Sequence, residues 1–223
     1  SDILEPKGSG FVGHHGDDTV LANDGMWVGF SIEIGPDGAV YILDWHDPDI
    51  CGMSTMQKDT GRIFRVAAEG TRGKSGFDLA KLSDTELVEM QAHRNDWYVR
   101  RARVLLHQRA VEGSLSKKTV HALLWDQFES GPDTGRKLRS LWALHVTEGI
   151  GQKRLTQLLD DKDAHIRSWA IQLLCEDFKP GNAALKKFAS MAASDLSPVV
   201  RLYLAAALQR IPESSAWKVA QGL

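Results

Sequence analysis

The chain has 223 residues, 43% of them hydrophobic and 25% charged, which is enough to bury a core in one large or two small domains. Its 27 lysine and arginine residues nearly balance 29 aspartate and glutamate residues, so the formal net charge is -2. No apolar run approaches the roughly 20 residues of a membrane-spanning helix. The composition argues against a partner held by bulk charge, and we expect contact with neither nucleic acid nor membrane.

The first candidate ligands lie close to the N-terminus, at His14, His15, Asp17 and Asp18. Imidazole and carboxylate groups can ligate metals, but these residues are adjacent in a glycine-rich segment and have no partner ligands at a regular spacing. We therefore expect an exposed loop here and no metal site.

A small antiparallel sheet is predicted between residues 27 and 66. Apolar side chains alternate with small or polar ones over 28–34, which indicates a strand with one apolar face. The sequence Gly-Pro-Asp-Gly at 35–38 is typical of a tight turn. Further strands are expected at 39–43, 62–66 and 19–21. A few short strands cannot bury a core alone, so the sheet must pack against another part of the protein.

The densest polar cluster follows strand 39–43, at Asp44, Trp45, His46 and Asp47. Carboxylates and an imidazole there could bind a hard cation or a cofactor, or act as acid and base, because strand-end loops hold functional groups on a rigid support. Aspartate and proline also simply cap strands and begin turns, as Asp47 and Pro48 would. Both interpretations stay open from the sequence.

A glycine-rich segment, 67–76, separates this sheet from a helical region beginning at Phe77, so we assign 1–70 to a sheet domain and 77–223 to a helical domain. Ser83 followed by Glu86 is a capping box, in which each side chain bonds the other residue's amide. Further helix starts are predicted at Asp96, Ser116, Asp163 and Ser197. Glycine and proline breaks between them predict about nine helices.

Charged and aromatic side chains recur on these helices. Four arginines share the first long one, at Arg100, Arg101, Arg103 and Arg109. They could grip an acidic partner through forked hydrogen bonds, or form a solvated face paired with neighbouring acids. Five tryptophans follow through the region, at Trp97, Trp125, Trp142, Trp169 and Trp217. Their recurrence predicts packing between repeats, with a sugar-binding or peptide-binding platform as the alternative.

The helices also show an internal repeat. Aligning the helix starts at Asn95, Asp163 and Ser197, which are 68 and 34 residues apart, superposes three sets of apolar residues. The sets are Tyr98, Ile166 and Val200; Ala102, Ala170 and Leu204; and Leu106, Leu174 and Leu208. A further unit is expected at 137–146. Such periods mark helical hairpins that stack side by side, each burying its apolar stripe against its neighbours.

The two cysteines, Cys51 and Cys175, lie one in each half of the chain. They are too few for a disulfide framework and form no CxxC or CxxCH motif for zinc or covalent haem. We expect both to be unpaired. Neither has the helix-start or CxxC setting that activates a thiol, and no Gly-x-Ser-x-Gly motif is present, so we expect no catalytic site in these residues.

Residues 163–174 combine an acidic cap, a β-branched residue followed by Arg167, an alanine and paired leucines, a pattern that resembles HEAT repeats. Segments 95–106 and 197–208 follow it more loosely, with Arg201 in the arginine position of the last unit and Val99 there in the first. The resemblance covers about residues 80–223. It implies an α-α superhelix whose second helices line a concave surface.

The sequences GPDGAVYILDW at 35–45 and GRIFRV at 61–66 resemble the closing β-propeller blade of membrane-bound dehydrogenases related to soluble quinoprotein glucose and sorbosone dehydrogenases. In that family HEAT repeats follow the propeller, often with a c-type cytochrome domain. The resemblance implies a mainly α chain with a small β part (α+β) from a larger bacterial protein in the periplasm. It also implies PQQ and haem c in the parent protein. We expect neither here, because one blade cannot enclose a propeller's central site and CxxCH is lacking.

Two functions follow as expectations. The first is a protein-binding or scaffold module, a fragment whose partner is another protein or the other domains of its parent. The alternative is a fragment of a quinone-dependent sugar dehydrogenase whose propeller carries the active site. Residues 217–223 are interpreted as the first turns of a truncated repeat, and the apolar surface that truncation exposes predicts self-association or a partner.

Overall fold

The computed structural model describes residues 2–46, 59–73 and 75–223. The described chain begins with a hairpin of β1 (Asp2–Lys7) and β2 (Gly10–His15), in which Asp2 lies opposite His15. The expectation of a loop around His14 and His15 is therefore wrong. The turn between the strands contains Gly8, whose φ of 60° is one that glycine adopts readily. Residues 19–21 form no strand.

The predicted three-stranded sheet is present. It consists of β3 (Gly29–Ile34), β4 (Val40–Asp44) and β5 (Arg62–Val66), antiparallel and in that order. Ile32, Ile42 and Phe64 lie opposite one another across it. At the 35–38 turn the Gly35 amide donates to the Ala39 carbonyl over 2.9 Å, which closes the hairpin.

Burial within this sheet is uneven. Ile42 and Asp44 of the central strand are buried, whereas the apolar side chains of β3 at Phe30, Ile32 and Ile34 are exposed. A two-residue period identifies a face that could be buried, but it does not show what covers that face. The described part of the chain leaves it open.

Nine α-helices follow in the described region. They are α1 (Asp84–Glu89), α2 (Asp96–Glu112), α3 (Lys117–Ser130), α4 (Thr134–Val146), α5 (Gln152–Leu158), α6 (Ala164–Leu174), α7 (Asn182–Ser194), α8 (Pro198–Ala207) and α9 (Glu213–Ala220). None of the described helices combines the length and apolarity needed to cross a bilayer.

Side chains at or next to the predicted positions cap four of these helices. Ser83 and Glu86 form the capping box of α1. Asn95 caps α2 through the Trp97 amide, and Asp163 and Ser197 cap α6 and α8. Ser116 precedes α3, but its side chain makes no capping bond. Capping groups satisfy backbone amides that have no partner within the helix.

The helices pack in two layers. In one layer, helices α2, α4, α6 and α8 contact one another in succession. In the other layer α1 contacts α3, α5 contacts α7, and α7 contacts α9. The aligned apolar positions of α2, α6 and α8 are buried, apart from a half-buried Leu208. The α+β class with a small antiparallel sheet is confirmed. The HEAT-type superhelix and the domain boundary stay predictions.

The sheet meets the helices at the N-terminus of α2. The Asn95 side-chain amide donates to the Gly35 carbonyl over 2.8 Å, so the residue that caps α2 also anchors the β3–β4 turn. A Cβ at Gly35 would lie 2.2 Å from the Tyr41 ring, so only glycine fits this junction without a shift of that ring.

Candidate functional site

The end of strand β4 is organised by the buried carboxylate of Asp44. Its Oδ1 accepts from the amides of Val28 (2.8 Å) and His46 (3.0 Å). Its Oδ2 accepts from Arg62 Nε over 2.8 Å, and Arg62 Nη2 lies 2.6 Å away. Both oxygens are thus engaged within the fold.

A second carboxylate, Asp24, completes what we term the strand-end cluster, which consists of Asp24, Asp44, His46 and Arg62. Asp24 Oδ2 lies 2.8 Å from Arg62 Nη2 and 3.4 Å from His46 Nε2. Burial favours the neutral form of Asp44, but the Val28 amide and the Arg62 guanidinium outweigh it and hold the pKa of that carboxyl below its usual range. The Met26 amide and Arg62 lower the pKa of Asp24 in the same way.

The structure brings together only some of the site residues predicted after strand β4. Asp44 and His46 come together, with His46 at a φ of 51°. Its Nδ1 is buried and has no hydrogen-bond partner in the described part of the chain. Trp45 points elsewhere, is exposed, and packs edge-on against Phe30 with 5.8 Å between ring centroids. Asp47 lies outside the described residues.

Sequence reasoning missed Asp24 and Arg62. Arg62 lies directly opposite Asp44 in the β4–β5 register, so its pairing could have been inferred once the register was known. Asp24 precedes the sheet in a segment without helix or strand, and no spacing rule connects it to β4.

At the described strand end the two residues best placed to meet a ligand are engaged with the protein. Both oxygens of Asp44 accept hydrogen bonds from the protein, and Arg62 lies between the carboxylates of Asp44 and Asp24. Haem c needs a CxxCH motif, which the sequence lacks. No group of three or more potential metal ligands occurs among residues 2–46, 59–73 and 75–223.

A groove of about 800 Å³ lies between the β3–β4 hairpin and α2. We refer to it as the sheet-helix groove. Its apolar lining includes Ile32 and Ile34 from β3 and Trp97 and Val104 from α2. Ile32 is 69% exposed and Val104 58% exposed, so two elements present apolar side chains to one cleft.

An arginine group adjoins this groove, made up of Arg100, Arg103 and Arg139 around the single carboxylate of Asp96. Arg100 Nε lies 2.7 Å and Arg139 Nη2 3.2 Å from Asp96 oxygens. Arg103 has no carboxylate within ion-pair distance in the described chain. Asp96 and Arg100 also line the groove, which makes the two features continuous.

The Arg103 guanidinium is unusually placed. Its central carbon lies 5.2 Å from the centroid of the Trp142 ring, a cation-π geometry. Burial lowers the pKa of Arg103, the Asp96 carboxylate opposes that effect, and the charges of Arg100 and Arg139 add to it. Arg103 Nη1 and Trp142 Nε1 are both buried, and neither has an acceptor among the residues that the structure describes.

Aromatic rings continue along the same layer. Trp142, Trp169 and Tyr203 lie on α4, α6 and α8, with centroid separations of 4.8 Å and 6.4 Å between successive rings. Trp125 packs against Phe128 within the core. Packing between neighbouring helices thus describes Trp142 and Trp169, whereas Trp217 is 65% exposed and does not follow the prediction.

Two further candidates are structural or isolated. His14 Nε2 lies 3.1 Å from Glu5 on the exposed hairpin. Cys175 is a free, buried thiol, and burial raises its pKa to about 11, which opposes nucleophilic reactivity. Cys51 lies outside the described residues.

Comparison with known proteins adds nothing to this geometry, since no family model, curated protein or solved structure matches the chain. The function must therefore be inferred from the side chains and their geometry. Of the surfaces described, the sheet-helix groove and the adjoining arginine group combine open apolar area with uncompensated charge.

Proposed function

We propose that the chain is a protein-binding or scaffold module that binds its partner in the sheet-helix groove. The observation that carries this proposal is the pair of exposed apolar walls, Ile32 on β3 and Val104 on α2, that face one cleft beside the arginine group. As the propeller resemblance implies, the module would belong to a larger bacterial extracytoplasmic protein.

The composition of the groove supports a polypeptide partner. Tryptophan and arginine are enriched in the energetically dominant centres of protein interfaces, and both occur here as Trp97 and Arg100. Exposed apolar patches rimmed by polar groups commonly mark interaction sites. A groove of about 800 Å³ has enough volume to hold several residues of a peptide.

The sugar-dehydrogenase alternative receives no support from the described strand end. A cofactor there would compete with the intramolecular partners of Asp44 and Arg62. The open groove requires no such competition, since its side chains already face solvent.

A peptide-display experiment tests the proposal. The chain is immobilised, a random dodecapeptide library is selected on it, and the enriched peptides are synthesised and titrated by fluorescence anisotropy. Val104→Glu places a charge in the apolar wall, and we expect it to weaken binding at least about tenfold. Val111→Glu makes the same change on the same helix outside the groove, at a residue that is 75% exposed, and should leave binding unchanged.

Two results would contradict the proposal. Either selection yields no peptide that binds the unmodified chain, or the selected peptides bind the Val104→Glu variant as tightly as the Val111→Glu control. Circular dichroism of both variants verifies that neither change disrupts α2.

A further inference from the structure

Two buried hydrogen-bond donors on α2 and α4 belong to side chains that are in contact. Arg103 Nη1 and Trp142 Nε1 have no acceptor among the described residues, and the guanidinium carbon stands 5.2 Å from the indole centroid. Buried donors nearly always have partners, because an unmade hydrogen bond costs the desolvation of the group. This pair is therefore a candidate site for a group that supplies an acceptor.

The surrounding charge specifies the sign of that acceptor. Three guanidinium groups, those of Arg100, Arg103 and Arg139, share the single carboxylate of Asp96. Arg139 is further held by the His93 carbonyl over 3.0 Å, while Arg103 has neither kind of partner among the described residues. The local excess of positive charge favours an anion at Arg103.

We infer that Arg103 and Trp142 form a binding site for a carboxylate supplied by an Asp or Glu side chain of the partner polypeptide. One carboxylate oxygen accepts from Arg103 Nη1 and the other from Trp142 Nε1. This inference rests on the proposed function and specifies it, because an acidic residue here extends the segment that occupies the adjacent groove. Arg103 and Trp142 are each only partly buried as residues, so a carboxylate reaches the two donors once the side chains that cover them rotate.

A carboxylate fits this setting better than a nucleic-acid phosphate. The chain as a whole carries a formal charge of -2, and a polyanion gains most of its affinity from many cations. The groove next to the arginine group is lined by Ile32, Ile34 and Val104, which match the aliphatic neighbours of an acidic residue in a peptide.

Indole NMR resonances provide the test. In an ¹H-¹⁵N spectrum the chain's seven tryptophans give separate Nε1–H signals, and Trp142→Phe assigns the one that matters. Sodium acetate is titrated against sodium chloride at constant ionic strength. We expect a saturable downfield shift of the Trp142 signal, because its N–H gains an acceptor, while the signal of the distant Trp217 stays in place.

A matched pair of variants identifies the cation. Arg103→Gln should weaken the acetate-dependent shift at least about tenfold. Arg136→Gln removes an arginine of α4 that, among the described residues, pairs with Asp133 alone, over 3.7 Å, and it should leave the titration unchanged. A Trp142 signal that does not respond to acetate, or that responds equally in both variants, overturns the inference.

Further arms separate the possible ligands. Inorganic phosphate that shifts Trp142 at concentrations well below those of acetate would replace the carboxylate with a phosphate ligand and overturn the inference. Display-selected peptides whose affinity survives replacement of Asp and Glu by Asn and Gln would overturn it while leaving the groove proposal intact. An acetate site without any selected peptide would instead retain the carboxylate site and contradict the proposed function.

Discussion

The three-stranded sheet (β3–β5) and the helical array (α1–α9) are held together in different ways. In the sheet the central strand is fixed by buried carboxylates, with Asp44 bonded to Arg62, and Asp37 to Arg65 over 2.7 Å. The apolar side chains of β3 remain exposed. The helical array instead buries aliphatic and aromatic side chains in two clusters, which share the partly buried Trp125 and Ile150 at their edges.

This difference shows which interactions specify each region. The helices of the array bury apolar side chains against their neighbours, so apolar burial supplies most of their stability. The small sheet cannot bury enough area for that, and its geometry depends on directional ionic hydrogen bonds. Changes to packing should therefore affect the array most, and changes to charge should affect the sheet locally.

The largest effect is expected from a cavity in the array. Leu204→Ala on α8 removes a side chain with 0% exposure, and the lost burial and the cavity should lower the free energy of unfolding by about 2–5 kcal/mol. Leu202→Ala makes the same change two residues away, where the side chain is 47% exposed, and should cost less than about 1 kcal/mol. Urea titrations of the two variants measure the difference, and equal midpoints would show that packing does not dominate the array.

A smaller loss is expected from the ion pair that joins α6 to the segment before α8. Arg167 Nε and Nη2 donate to the two oxygens of Asp195 over 2.8 Å and 2.9 Å, a bidentate geometry. Asp195→Asn should lower the free energy of unfolding by about 2 kcal/mol, as for hydrogen bonds to charged groups. Asp126→Asn, at an exposed position of α3, is the control. Equal urea midpoints for the two variants would show that the ion pair does not stabilise the fold.

Acidification should produce a related but weaker effect. Burial favours the neutral form of Asp195, but the Arg167 guanidinium outweighs it and keeps the pKa low in the folded state. The stabilisation is therefore complete above the unfolded pKa of about 3.9 and is lost as the pH falls through the lower, folded pKa. Protonation removes the same charge as the substitution above, but it stays incomplete until the pH falls below the lowered, folded pKa, so the effect at moderately acidic pH is weaker. Urea titrations at stepwise lower pH should show a shallower decline for Asp195→Asn than for the unmodified chain, and parallel curves would contradict this assignment.

The sheet should respond to charge without affecting the array. Asp44→Asn removes the charge that holds Arg62 and weakens the acceptor for the Val28 and His46 amides. Hydrogen exchange at these two amides should accelerate at least about tenfold, while the amides of α6 keep their rates. Glu33→Gln changes an exposed acid of β3 and should accelerate neither amide. Faster exchange across α6 in Asp44→Asn would show that the two regions unfold together.

Local sequence signals predict the array better than the sheet. Helix caps such as Ser83 and Asp163 act through neighbours three or fewer residues away, so the sequence alone specifies their bonds. The repeat alignment likewise places Ile166 and Val200 in the core, where both are buried. Helical periodicity predicts which residues are buried because each helical unit packs against a neighbour with the same apolar pattern.

The sheet and the candidate site require contacts that the sequence does not encode locally. The exposure of Ile32 depends on what lies against β3, which periodicity cannot show. The sequence could not single out Arg103 among the four arginines of α2. Arg103 lacks a carboxylate partner among the described residues because Arg100 pairs with Asp96 in its place. The partner of Asp44 likewise becomes evident only from the register of β5.

The smallest effect concerns alkylation of Cys175, which tests whether the two helical layers stay packed around α6 in solution. Cys175, at the end of α6, is 1% exposed, and burial raises its pKa to about 11. In a Cys51→Ser chain at pH 8, alkylation of Cys175 should therefore be at least about a hundredfold slower than that of a free cysteine, whose pKa is about 8.5. Urea should restore the normal rate, because unfolding exposes the thiol. Rapid alkylation of the folded chain would show that the layers open around α6, and the contrast between a packed array and an ionic sheet would then not hold there.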